Sequence, residues 1–222
     1  MILKNTLLSV VALGLQSLLI LLGLCGCSSS SSGGGETVVP ETVKAERAIM
    51  NFSLRSGETT ASFANVNQMA TTSPKELRAA ALAHLDSAIP SIRYASVYAL
   101  TFTAEPGPSM EALKGVMVSG TSTERLLAAT GLASLGDRDS IPVLIDFLDS
   151  AEPFPYWEPP IEKWQYAQRS LLTVTDQDLG LRQARDRTSA ATTKAAWRDW
   201  WVAHGPDYQL RRPDIKHTNL NI

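Results

Sequence analysis

The side chains of this chain that could bind a metal or move a proton are few and scattered. Its three histidines lie far from one another, and none has a second His or a Cys at zinc-ligand spacing: His84, His204 and His217. The sequence contains no phosphate-binding glycine loop and no Gly-x-Ser-x-Gly nucleophile motif. We therefore predict a protein that is not an enzyme and that uses no metal and no cofactor.

Two pairs of carboxylates come closest to a cation site. Asp137 with Asp139, and Asp176 with Asp178, stand in glycine-containing turns. An Asp in such a turn commonly caps the next helix or accepts a hydrogen bond from its own backbone. Neither pair has the further oxygen ligands that Ca²⁺ requires at loop spacing. We expect both pairs to be structural.

Thiol chemistry is confined to the N-terminus, where Cys25 and Cys27 are the two cysteines of the chain. They follow an apolar stretch from Leu7 to Leu24, which the basic Lys4 precedes. Polar residues interrupt the stretch and small residues end it, which favours a cleaved export signal over a retained anchor helix, the alternative.

The residues Leu24-Cys25-Gly26-Cys27 resemble the lipobox of bacterial lipoproteins, in which a small residue precedes the lipidated Cys. Cys27 fits this pattern because Gly26 precedes it, whereas the residue before Cys25 is the bulky Leu24. The resemblance implies a lipoprotein signal peptide over 1–26 and a diacylated Cys27. Two or three acyl chains, such as palmitate, would hold the protein firmly in a membrane.

Residues 27–42 are predicted to be a flexible tether, since they are rich in Ser and Gly and have little that can pack. Ser28, and not Asp, follows the lipidated Cys. By resemblance to the sorting rule of enteric bacteria this favours the outer membrane. The expected location is the cell envelope, lipid-anchored on the periplasmic side or on the outer cell surface.

A helical pattern that occurs twice organises residues 43–204, and residues 205–222 are assigned to a C-terminal tail. Arg, two small residues and a Leu recur with a shift of 32 residues, first as Arg93, Ser96, Ala99 and Leu100 and then as Arg125, Ala128, Gly131 and Leu132. Such a helix has a narrow apolar face that a second helix can approach closely. One helix pair cannot bury this face alone, so the pairs must stack.

The expected helices cover 43–55, 59–72, 74–86, 89–103 and 122–135. A third copy begins 39 residues after Arg125, with Trp164 in place of the Arg. We expect Arg93 and Arg125 to pair with an Asp of a neighbouring turn. Three tryptophans with helical spacing should close the array: Trp197, Trp200 and Trp201.

These motifs resemble HEAT repeats, in particular the short HEAT-like variety of phycobilisome lyases. The matching residues are the two Arg-small-small-Leu copies, Gly136-Asp137 and the following Ile141-Pro142-Val143-Leu144. The resemblance implies an all-α fold, a short right-handed alpha solenoid of stacked helix pairs. It says little about function, because HEAT arrays are binding scaffolds in unrelated systems.

An insertion at 153–160 separates the second copy from the third, and its four prolines exclude a helix. It carries Phe154, Tyr156 and Trp157, where the preceding repeat needs only a short turn. Large aromatic side chains on a proline-stiffened loop are suited to partner binding. The alternative is that the rings fold back over the edge between the second and third repeats.

The function that these features favour is that of a lipid-anchored envelope protein whose solenoid binds another envelope protein without catalysis. A balance of 20 basic and 22 acidic residues gives no case for nucleic acid as a partner. The alternative is a lyase-like or small-molecule-handling enzyme of the HEAT-like kind. That alternative requires a ligand cavity with a nucleophile or an acid–base pair.

Overall fold

A computed structural model describes residues 39–55, 58–154 and 161–211. The predicted signal peptide, Cys27, most of the tether, Tyr156, Trp157 and His217 lie outside these ranges. Helices account for 72% of the described residues, so the prediction of an all-α protein is confirmed. The same residues also include one short antiparallel β-ribbon.

The described residues form nine α-helices: α1 Glu41–Met50, α2 Thr59–Thr72, α3 Pro74–His84, α4 Pro90–Thr103, α5 Pro108–Ser119, α6 Ser122–Ser134, α7 Ser140–Asp146, α8 Lys163–Thr175 and α9 Arg187–His204. Turns of 3-10 helix follow α7 at Phe147–Asp149 and precede α9 at Leu181–Gln183. Strand β1, Pro153–Phe154, pairs with strand β2, Ile161–Glu162.

The predicted bounds of α2, α4 and α6 agree with the structure to within one residue, and α8 is the predicted third copy. The first helix differs, because it begins two residues earlier than predicted and ends at Met50 instead of Arg55. It ends early because Phe52 leaves the helix and is buried, with its ring 5.2 Å from that of Phe63 in α2. The helix predicted over 74–86 ends two residues early, at His84.

The helices pack in sequential pairs. Each helix contacts the next, and helices two apart in the chain also meet, with α4 between α2 and α6, and α6 between α4 and α8. On the other side, α1 contacts α3, α3 contacts α5, and α7 contacts α9. The helices α4 and α6 are buried on most of their surface, and they form the centre of the core.

Small residues let α4 and α6 approach each other closely, as the repeated pattern predicts. A β-carbon added to Gly131 would lie 3.0 Å from the backbone Cα of Thr101 and 3.2 Å from a methyl group of Leu113. The Thr101 hydroxyl lies within hydrogen-bond distance of two carbonyls, that of Leu127 across this contact at 3.2 Å and that of Val97 in its own helix at 3.0 Å. The two backbones are therefore close enough to share a side-chain hydrogen bond.

The two repeated arginines have different partners. Arg93 donates from Nε to Glu124 Oε1 at 2.7 Å, so the expected pairing within the domain is found, but with a Glu of α6 and not with an Asp of a turn. The reason is that Glu124 already caps α6, accepting from the Thr121 N–H at 2.8 Å, which brings its carboxylate opposite Arg93. Arg125 donates to the Met117 carbonyl at 3.1 Å, and its expected pairing with an Asp is wrong.

The pKa of the buried Glu124 reflects this arrangement. Burial, the largest influence, raises that pKa, but hydrogen bonds from Thr121 and Arg93 together outweigh burial and lower the pKa below its ordinary 4.5. Because the folded pKa lies below the unfolded one, the resulting stabilisation is present above the unfolded pKa. It is lost as the pH falls through the folded pKa.

Three of the four paired carboxylates have structural partners, as expected, whereas the Asp139 side chain forms no cap on α7. Asp137 Oδ1 accepts from the backbone N–H of Asp139 at 3.0 Å, and Asp178 Oδ1 accepts from the backbone N–H of Arg182 at 2.6 Å. Asp176 ends α8 in the left-handed region, with φ 55°, and forms an ion pair with Arg211 at 2.5 Å.

The C-terminal end of the described chain packs on the last helices. Trp197 is fully buried, and Trp200 and Trp201 are partly buried against the core, as expected for residues that close the array. Part of the region assigned to a tail belongs to this packing, because Leu210 is buried and the Arg211 N–H donates to the Val174 carbonyl at 2.7 Å.

Replacing Gly131 with Ala should lower the free energy of unfolding by about 1–3 kcal/mol, because the new β-carbon meets backbone atoms of α4. Gly115 of α5 is the matched control, since a β-carbon there meets nothing within 4 Å. Gly115→Ala should raise stability by about 0.5–1 kcal/mol, because Ala loses less conformational entropy in a helix. Urea unfolding followed by circular dichroism measures both. A stabilising Gly131→Ala would contradict the close approach.

Candidate binding site

Phe154, one of the three aromatic residues predicted to bind a partner, lies inside the domain. It is 1% exposed, and its ring stacks on that of Tyr166 with centroids 4.7 Å apart. This is the position that the fold-back alternative describes. The roles predicted for Tyr156 and Trp157 remain predictions, as does the lipidation of Cys27, since all three lie outside the described residues.

Both ends of the insertion are fixed to neighbouring helices. Lys163, only 3% exposed, donates from Nζ to the Ser122 hydroxyl of α6 at 2.9 Å and pairs with the Glu152 carboxylate. Its backbone N–H donates to the Glu152 carbonyl at 2.9 Å. Two hydrogen bonds lower the pKa of Glu152, with the larger effect from Lys163 and the smaller from Ser122. The insertion therefore leaves and rejoins the domain at defined points.

A cavity of about 640 Å³ lies between α8 and residues 182–185, and Ile161 of β2 contributes to its wall. Its volume is within the range of ligand-binding pockets. Trp164, Leu172 and Ala184 form its apolar lining, and Gln165, Gln168 and Thr173 contribute polar groups. The cavity is open to solvent and therefore accessible to a ligand.

Three arginines line this cavity, and their guanidinium groups pair with no carboxylate of the described chain: Arg169, Arg182 and Arg185. The nearest carboxylates in the sequence are engaged with backbone groups. Asp178 accepts from the backbone N–H of Arg182, and Asp186 accepts from a backbone N–H in the first turn of α9 at 2.8 Å. Hydrogen bonds from that turn also lower the pKa of Asp186. The cavity therefore carries excess positive charge.

The walls of the cavity are held by internal hydrogen bonds. The Gln168 side-chain amide donates to the Leu181 carbonyl, which ties the following loop to α8. The Trp164 indole N–H donates to Glu162 at 2.7 Å. The Tyr166 hydroxyl, by contrast, is buried and has no hydrogen-bond partner in the described part of the chain. Burial raises the pKa of this hydroxyl, so it is neutral at physiological pH.

Sequence reasoning did not find these arginines. The one available signal was the Arg182-x-x-Arg185 spacing, directly after the Asp-rich turn. Arg169 lies in the preceding helix, and nothing in the local sequence indicates that it faces the same cavity.

The two described histidines have ordinary structural partners. His84 pairs with Glu46, and His204 contacts the Trp200 carbonyl at 2.9 Å. Within the ranges that the structure describes, His, Cys, Asp and Glu side chains form no group of three or more that could hold a metal ion. None of the described helices is long and apolar enough to cross a membrane.

The fold and the cavity define an all-α domain of sequentially paired helices with an arginine-lined site at one helix. Comparison with protein-family models, with curated proteins and with solved structures finds no match to the chain in any of the three cases.

Replacing Phe154 with Ala should lower the free energy of unfolding by about 3–5 kcal/mol, since the substitution empties a buried aromatic position. The matched control is Tyr166→Phe, which keeps the stacked ring and removes a hydroxyl that has no hydrogen-bond partner among the described residues. That variant should be as stable as the unchanged protein or more stable, because an unsatisfied buried hydroxyl is itself destabilising. Thermal unfolding measures both. A Phe154→Ala protein that melts normally would place the ring outside the core.

Proposed function

We propose that this protein is a lipid-anchored, non-catalytic binding module of a bacterial cell envelope. In this proposal Cys27 carries the lipid, the Ser- and Gly-rich tether holds the domain away from the membrane, and the helices bind a protein partner. The outer membrane is the favoured location, on either its periplasmic or its outer side.

The proposal treats the helix pairs as a short right-handed solenoid of the HEAT-like kind. Contacts between helices two apart in the chain support it, as do polar links that recur near the start of successive helices. Arg93 of α4 reaches Glu124 of α6, and Ser122 of α6 accepts from Lys163 of α8. A stacked array requires that successive helices contact one another in similar ways, both along their sides and near their starts.

The observation that carries the binding function is the position of the aromatic insertion. The ribbon fixes both of its ends, and Ile161, the first described residue after it, lines the arginine cavity. Tyr156 and Trp157 precede Ile161 by five and four residues in the sequence, so a partner that contacts them would also come close to this charged cavity. Aromatic and arginine side chains are the residues that most often dominate binding energy at protein interfaces.

The cavity is also the feature that favours the alternative, a lyase-like or small-molecule-handling enzyme. Its volume suits a small ligand. Its charged side chains, however, are arginines, which stay protonated at any physiological pH and are poor proton-transfer groups. The cavity is therefore better suited to holding an anion than to acid–base catalysis.

Changing Cys27 to Ser should abolish incorporation of a radioactive fatty acid and leave the unprocessed precursor, because the thiol is the acyl acceptor. Labelling of the protein in bacterial cells, followed by gel electrophoresis, measures this. Cys25→Ser is the matched control and should still be labelled. If Cys25→Ser removes the label and Cys27→Ser does not, the lipidation site is misassigned.

Changing Tyr156 and Trp157 together to Ser should weaken capture of the envelope partner and leave the melting temperature nearly unchanged. The partner is identified by crosslinking in intact cells, and its capture is then quantified with purified protein. Val118 and Val202 are 80% and 79% exposed, so Val118→Ser with Val202→Ser is a matched loss of apolar surface. If the loop variant loses several kcal/mol of folding stability instead, the loop is a structural lid.

A further inference from the structure

We infer that the cavity beside α8 receives an acidic segment of the protein partner, whose carboxylates bind the guanidinium groups of Arg169, Arg182 and Arg185. This inference rests on the proposed binding function, and it adds the chemical class of the segment that is bound.

The positive charge of the three arginines is not compensated within the described chain. Guanidinium groups near a protein surface commonly pair with carboxylates of the same chain, as Arg198 does with Asp146 at 2.5 Å. Within the described chain the three cavity arginines have no such partner, although Asp178 and Asp186 are close in the sequence; those two carboxylates accept hydrogen bonds from the backbone of the 3-10 turn and of α9. The fold thus leaves three positive charges around one cavity.

The three charges come from two different walls of the cavity. Arg169 comes from α8 and is half-buried, whereas Arg182 and Arg185 come from the opposite wall and are exposed. Guanidinium groups bind carboxylates through two parallel N–H donors, so groups on facing walls can hold successive carboxylates of one segment. Half-burial strengthens the interaction at Arg169, since the local dielectric constant is lower there than in water.

Hydrogen bonds within the domain preform the cavity. The hydrogen bond from Gln168 to the Leu181 carbonyl and the caps provided by Asp178 and Asp186 hold the arginine-bearing loop against α8. A site that is already ordered loses less conformational entropy when it binds, so more of the interaction energy appears as affinity.

The openness of the cavity favours a protein segment over a free small anion. Arg182 and Arg185 are exposed on one wall, and the lining continues along α8 to Trp164 and Ile161. An extended acidic chain could contact this whole surface, whereas a free anion would use the arginines alone. Charged contacts of this kind add specificity and speed association with the partner.

The test uses the full-length chain in detergent micelles and a fluorescein-labelled hexaglutamate peptide, with hexaglutamine as the neutral control peptide. Fluorescence anisotropy gives the dissociation constants. We expect hexaglutamate to bind at least tenfold more tightly than hexaglutamine, and Arg169→Gln with Arg182→Gln to weaken it about tenfold or more. Arg47→Gln, a loss of one exposed charge on α1, should change the affinity less than twofold. The single variant Arg182→Gln changes only an exposed side chain. Its affinity for hexaglutamate therefore reports on the cavity charge even if the substitution at the half-buried Arg169 disturbs folding.

Three results would overturn the inference. The first is equal affinity for the two peptides, and the second is an equal loss of affinity in Arg47→Gln and the cavity variants, which would mean non-specific attraction. The third is displacement of the peptide by citrate or inorganic phosphate at concentrations equal to that of the peptide, which would make this a small-anion site. None of these results affects capture of the partner through Tyr156 and Trp157, so failure here is distinguishable from failure of the proposed function.

Discussion

The close contact of α4 with α6 is the constraint on which the rest of the domain depends. A β-carbon at Gly131 would lie only 3.0 Å from the Thr101 Cα of α4, which is tighter than ordinary van der Waals contact. This separation brings the Thr101 hydroxyl within hydrogen-bond distance of the Leu127 carbonyl and Arg93 within 2.7 Å of Glu124. The next contact in the row, between α6 and α8, is also polar, with the Thr130 and Ser170 hydroxyls 3.0 Å apart. The position of α8, and with it the candidate site, follows from these contacts.

The arginine cavity forms where this row of helices ends within the described chain. The side of α8 that carries Trp164, Arg169 and Leu172 is covered by the loop that leads to α9 and not by a further helix. A loop has backbone groups that need partners, and nearby Asp side chains supply them as caps. Two of the three cavity arginines, Arg182 and Arg185, belong to this loop, and no carboxylate of the described chain pairs with them. The loop that ends the row therefore also gives the cavity its positive charge.

The described ends of the aromatic insertion are structural. Phe154 and Ile161 are buried and join the insertion to α8, and Lys163 joins it to α6. These contacts hold the ends of the insertion without using Tyr156 or Trp157. A loop fixed in this way can present side chains to a partner without contributing them to the core, which is how binding residues are commonly held on a rigid scaffold. The proposed function requires that the ends of the insertion are held in this way while Tyr156 and Trp157 bind the partner.

The sequence by itself determined the helices, their repeat and the positions of close approach, because these depend on local signals. A proline after Ser73 begins α3, and the small residue at Gly131 marks a helix contact, whatever the rest of the chain does. Only the tertiary structure decided that Arg93 meets Glu124, that Phe154 is buried, and that Arg169 and Arg182 share a cavity. Each of these depends on which surfaces meet after packing, and the periodicity of one helix contains no information about the side chains on its neighbour.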